Sequence, residues 1–127
     1  MTMTEGTLRS DALSARDDRL SVAVHLPWYR SLPLSCLEAL DVRVDGAPAV
    51  VRSVSVGGFS GTVADAGASE VWWDLRDALD VLLDAPASPG AERTVEVEIA
   101  VRIPYMQQAP GVPLVQRAAV RTEATVR

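Results

Sequence analysis

The sequence holds no lysine, one histidine, one cysteine and one phenylalanine in 127 residues. A single Cys and a single His exclude a disulfide framework, a zinc finger, a Cys–Cys redox pair and a histidine-rich catalytic metal cage. Any chemistry carried by this chain alone would have to rest on carboxylates, hydroxyls, tyrosines or His25. The twelve basic residues are all Arg, set against seventeen Asp and Glu, for a formal net charge of −5. An acidic chain with dispersed arginines lacks the concentrated positive patch that phosphate contacts require, which argues against nucleic-acid binding. Long apolar runs are missing too. No stretch approaches the roughly 20 residues needed to span a bilayer, and MTMTEGTLRSDALS has no signal-peptide core. The expectation is a cytoplasmic protein.

What is present is an ordinary globular composition, 48% apolar and 23% charged, of a length that suits one domain. The polar, small-residue start reads as a flexible segment over 1–16, leaving a single domain over 17–127. Leu20, Val22, Val24 and Leu26 alternate with Arg19, Ser21, Ala23 and His25, the period-two signature of a half-buried strand. Pro27 ends it, and LPWYRSLPLSC forms an irregular connection. Alternation returns at Leu40, Val42 and Val44 and stops at Asp45-Gly46, a dipeptide that tolerates the positive φ of a hairpin turn. The Val-rich run over 49–56 reads as the partner strand, broken by Gly57-Gly58. The clearest strand covers 94–103, with Val95, Val97, Ile99, Val101 and Ile103 on one face and Pro104 as its stop. A last strand is expected within 114–126. Short strands separated by turn signals argue an all-β, antiparallel two-sheet β-sandwich of about eight strands, with room for one short helical turn. The segment 72–82 fits two descriptions: a helix with Trp72, Leu75, Leu79 and Leu82 on one face, or a turn near 74–78 followed by a strand.

Candidate chemistry is sparse. His25 titrates near neutrality and could carry a proton, but a solvent-facing or interface role is the plainer reading. Cys36 has no neighbouring base in sequence and reads as a buried, inert thiol. Asp74, Asp77, Asp80 and Asp84 form the densest acidic cluster. Paired carboxylates can cleave glycosides and oxygens can bind calcium, yet the spacing matches no calcium loop, and a solvated acidic edge is favoured. Gly57, Gly58 and Gly61 resemble a phosphate loop only loosely, since no GK[ST] follows. The aromatics say more. Trp28, Tyr29, Trp72, Trp73 and Tyr105 are five of the six aromatic residues, each beside a proline or at a segment end. Trp28-Tyr29-Arg30 has the composition of an interface hot spot. Tryptophans serve equally as a sugar-stacking platform, or close a core.

Over HLPWYRSLPLSCLEALDVRVDG, VWWDL and the strand ending in VRIPYM, the sequence resembles the small β subunit of the C-glycoside deglycosidases. The resemblance runs from about Leu20 to Met106, and LPWYRSLPLSC is its most specific part. It implies a β-sandwich, and with it the strand reading of 79–83. It also implies a hetero-oligomer whose α subunit resembles sugar-phosphate isomerases, a TIM barrel holding a divalent metal, usually manganese. That subunit would cleave the C–C bond between a 3-oxo sugar and an aromatic aglycone such as a flavonoid. The oxidised C3 acidifies the C2 proton, so the aglycone can leave by an elimination-like route. The β subunit would be non-catalytic, supporting the barrel and shaping its active-site entrance. None of the family's catalytic, metal or cofactor positions maps onto this chain. The expected partner-interface residues are Trp28, Tyr29, Arg30, Leu32 and Pro33, followed by Trp72, Trp73 and Tyr105. The competing expectation is a self-standing β-sandwich that binds carbohydrate through Trp72 and Trp73, with an independent carboxylate-based glycosidase behind both.

Overall fold

The alternating apolar positions come together as two antiparallel sheets facing across one core. The computed structural model describes residues 6–127. In chain order the strands are β1 (Leu13–Arg16), β2 (Arg19–Val24), β3 (Leu32–Pro33), β4 (Leu37–Val44), β5 (Ala47–Ala49), β6 (Val51–Val56), β7 (Phe59–Gly61), β8 (Trp72–Trp73), β9 (Leu79–Pro86), β10 (Glu92–Ala109) and β11 (Val112–Thr125). One sheet has the order β1-β2-β9-β6-β7, the other β11-β10-β4-β5, and β3 pairs with β8 as a two-stranded ribbon. Leu20, Val22 and Val24 of β2, Val54 of β6 and Leu79, Val81 and Leu83 of β9 meet Val42, Val44, Val95, Val97, Ile99, Val101 and Ile103 of the other sheet, all buried. The side-chain period of two puts each set on one inner face. The only α-helix among the described residues is one turn, Val63–Ala66 (α1), fixed by a reciprocal capping box between Thr62 and Asp65.

Four expectations change. Within the segment expected to be flexible up to residue 16, Leu13–Arg16 pairs in register with β2, and Leu13 is wholly buried. Its apolar side chain fills the core where a polar tail would stay in water; residues 1–5 lie outside the described residues. The return run after Asp45-Gly46 does not stay with β4 as one strand. Only Ala47–Ala49 pairs with β4, while Val51–Val56 crosses to the other sheet and pairs with β9 and β7. Pro48 cannot donate to a ladder and confines β5 to an edge, and the exposed Val50 marks the crossover. Pro104 does not stop β10, which runs on to Ala109 with register shifts after Ile103. Beyond that bulge residues 104–113 are all exposed, so β10 and β11 project as an arm past the sandwich. Finally, the described residues form eleven strand segments where about eight were expected, because short ribbons such as β3, β5 and β8 leave little periodic signal.

The hairpin and the ambiguous segment follow the sequence. Asp45 and Gly46 both adopt positive φ, 51° and 85°. The Asp45 carboxylate accepts from Thr94 N at 2.9 Å and from Arg93 Nε at 2.6 Å, tying the turn to the start of β10. Those bonds, Thr94's first and Arg93's second, hold its carboxyl below the usual range. Residues 72–82 form β8, a turn and the start of β9, with no helix. Asp74 makes the turn: its carboxylate accepts from Arg76 N, and Asp77 N donates to its carbonyl.

Candidate partner-binding site

Pro27 ends β2 at one end of the sandwich, and the chain bends through Trp28, Tyr29 and Arg30 before β3. Trp28 turns its ring into the core, 5% exposed, and its indole N–H donates to the Tyr105 hydroxyl at 2.6 Å. That bond joins the connection to the base of the projecting arm. Tyr29 packs on Trp28 with ring centroids 4.8 Å apart and is otherwise exposed. The Arg30 guanidinium carbon lies 5.7 Å from the Tyr29 ring centroid and 5.9 Å from that of Tyr105, within the range of cation–π attraction. The four side chains therefore contact one another in a closed cycle.

A second tie brings in the 72–75 segment. Leu75 N donates to Ser31 Oγ at 2.7 Å, and β3 pairs Leu32 with Trp73 and Pro33 with Trp72. Alternation along β8 sends the two tryptophans opposite ways. Trp73 is 1% exposed and donates its indole N–H to the Asp77 carbonyl at 2.9 Å; Trp72 is 60% exposed. Of the seven exposed large apolar residues among the described ones, five (Tyr29, Trp72, Leu75, Tyr105 and Met106) lie on these three linked segments. Their concentration is what marks a binding surface, since scattered exposed apolar residues are ordinary.

The expected interface residues thus divide. Tyr29, Arg30, Trp72 and Tyr105 are exposed, and Pro33 is half-buried. Leu32 and Trp73 are fully buried and Trp28 nearly so, and all three belong to the core of this chain. A stacking platform made of both Trp72 and Trp73 is not formed. The sequence pattern puts Leu75 only on the face of a helix that does not form, and Met106 only at the end of VRIPYM, and neither was among the expected interface residues.

The remaining candidates are dispersed. Asp74 pairs with Arg76 at 3.0 Å, and that guanidinium holds its carboxyl below the usual range. Asp84 lies 3.8 Å from Arg52 on the far part of β9. Cys36 is buried, which pushes its thiol up, with Arg102 Nη2 3.9 Å from its sulfur. Arg102 is itself bonded to Glu38 at 2.7 Å. His25 is half-buried, its Nδ1 is enclosed without a hydrogen-bond partner, and burial, with Arg9 adding to it, lowers its pKa. Among the described residues no group of three His, Cys, Asp or Glu side chains gathers closely enough to hold a metal ion.

Known proteins supply the decisive comparison. The chain is 37% identical over 114 residues to a 3'-dehydrocarminate deglycosidase beta subunit from Microbacterium sp., with 87% of this chain and 85% of the relative covered. It is 32% identical over 105 residues to a C-glycoside deglycosidase beta subunit from Microbacterium trichothecenolyticum, covering 80% and 76%. A C-glycoside deglycosidase beta subunit from Arthrobacter globiformis is 34% identical over 112 residues, covering 84% and 85%. This chain belongs to the C-glycoside deglycosidase β-subunit family. No family model matches it.

As a β subunit of this family, the chain presents its exposed aromatics on one linked surface. The half-buried Pro33 and exposed Trp72 extend that surface along the β3–β8 ribbon, and the arm carrying Tyr105 and Met106 extends it past the sandwich.

Proposed function

We propose that this chain is the non-catalytic β subunit of a hetero-oligomeric C-glycoside deglycosidase, a C–C lyase acting on 3-oxo C-glucosides such as those of flavonoids. Its partner is a TIM-barrel α subunit that holds a divalent metal, usually manganese, and carries out the bond cleavage. The β subunit stabilises that barrel and shapes the entrance to its active site. Family membership supports the subunit role. The observation that carries the mode of action is the exposed aromatic surface around Arg30, in which three separate segments are joined by the Trp28–Tyr105 and Ser31–Leu75 hydrogen bonds. Such a surface has the composition and rigidity of an interface core. The metal is assigned to the α subunit. The assembly is proposed to act in the cytoplasm. No helix among the described residues is long and apolar enough to cross a membrane.

Co-expression with a TIM-barrel, isomerase-like protein encoded beside it, followed by assay of aglycone release from a 3-oxo C-glucoside, tests the reading. The expected result is a co-purifying complex whose activity exceeds that of the barrel alone. Full activity of the barrel alone, unchanged when this chain is added, would overturn it.

A further inference from the structure

We infer that Arg30 is a preorganised clamp for a carboxylate side chain on the partner subunit, an inference that rests on the subunit reading above and specifies the chemistry of its interface. Three observations converge on it. The guanidinium lies 5.7 and 5.9 Å from the centroids of the Tyr29 and Tyr105 rings. Tyr105 is in turn fixed by the 2.6 Å bond from the buried Trp28 indole, and Tyr29 by its packing on the same indole. An exposed arginine ordinarily samples many rotamers and loses that freedom on binding; here contact with two rings takes part of that loss before the partner arrives.

The second observation is charge. Six Arg–carboxylate pairs occur among the described residues, and Arg30 is in none of them. The chain carries seventeen acidic residues and a net charge of −5, yet none of the described ones reaches this guanidinium. The aromatic faces hold the cation while leaving its N–H groups uncommitted to an anion. A planar carboxylate meets that fork with two parallel hydrogen bonds.

The third is the setting. Trp72, Leu75 and Met106, all exposed, lie on the segments tied to this cluster. On docking, such a rim excludes water, and a guanidinium–carboxylate pair is worth most where water is kept out. Tyr105 Oη uses one lone pair to accept from Trp28, so its own O–H proton stays available to donate to the same carboxylate.

The test measures affinity of purified variants for the TIM-barrel α subunit at low and high salt, and the activity of each assembled complex on a 3-oxo C-glucoside. Arg30→Ala is expected to weaken assembly by about thirtyfold or more at low salt. Arg30→Lys restores the charge without the planar fork and should recover only part of that loss. Arg30→Gln, nearer in shape, should behave like Arg30→Ala, which guards against a packing artefact. Tyr105→Phe keeps the ring but removes the hydroxyl, and should lose less affinity than Arg30→Ala. The salt dependence of assembly should be shallower in Arg30→Ala than in wild type. Wild-type affinity and salt dependence in Arg30→Ala and Arg30→Gln would overturn the clamp while leaving the subunit role intact. Unchanged assembly with a raised KM for substrate would also overturn it, assigning the anion to a small molecule. Failure of the wild-type chain to bind the α subunit would remove both the clamp and the subunit reading.

Discussion

Trp72 and Trp73 are neighbours of identical chemistry, and the pleat of a two-residue strand gives them opposite tasks. Trp73 occupies the core and satisfies its indole through the Asp77 carbonyl; Trp72 stands on the surface beside Leu75. Truncating Trp73 to Ala removes a large buried ring and leaves a cavity, at a cost of about 3–5 kcal/mol. Trp72→Ala removes a side chain that is mostly in water, and its effect on stability is expected within about 0.5 kcal/mol. Denaturant unfolding of the two single variants reads the contrast, and of the two only Trp72→Ala should lose binding to the α subunit while keeping its stability. Equal stability losses would show that the alternation along β8 is misassigned. At this scale the sequence singled out these aromatics and could not tell which of each pair faced inward. A window of two residues has no periodicity to read.

Among the elements, the long strands were legible and the short ones were not. β2, β4 and the inner part of β10 carry at least three alternating apolar residues each, and their buried faces are those the pattern implies. β1 is the instructive miss. Its sequence, LSAR, holds one strong apolar residue, and its polar surroundings read as a tail. The strand exists because Leu13 finds a place in the core, and because its backbone is shared on both sides. Leu13–Arg16 pairs with β2, while Ala15 N donates to the Arg127 carbonyl and Arg127 N to that of Leu13. The first described strand is thereby tied to Arg127, just past the end of β11. Leu13→Ala should cost about 2–5 kcal/mol, the range for a buried leucine, measured by thermal or urea unfolding. A cost near zero would restore the view of this segment as a flexible tail. The split of 47–56 between two sheets has the same origin: Pro48 and the exposed Val50 interrupt pairing, but only the vacancy beside β9 determines where Val51–Val56 goes.

For the whole molecule, the surface that gathers Tyr29, Arg30, Trp72, Leu75, Tyr105 and Met106 is drawn from segments far apart in sequence, and its assembly is a property of the sandwich. A ligand that binds only the folded state raises stability with its concentration, by about 2.7 kcal/mol at a hundredfold excess over Kd. Adding saturating α subunit should therefore raise the melting temperature of this chain, and the rise should shrink in Arg30→Ala. No rise with the wild-type chain would argue against assembly through any surface. The sequence by itself determined the all-β class, the hairpin at Asp45-Gly46, the inner faces of the long strands and the family. Each of these rests on local pattern or on a contiguous motif. Only the tertiary structure decided the course of Val51–Val56, the ordering of Leu13–Arg16 and the split of the tryptophans between core and surface. It alone brought Arg30 against two tyrosines that are 76 positions apart in sequence. Those outcomes depend on which distant backbone lies alongside, and no local window contains that information.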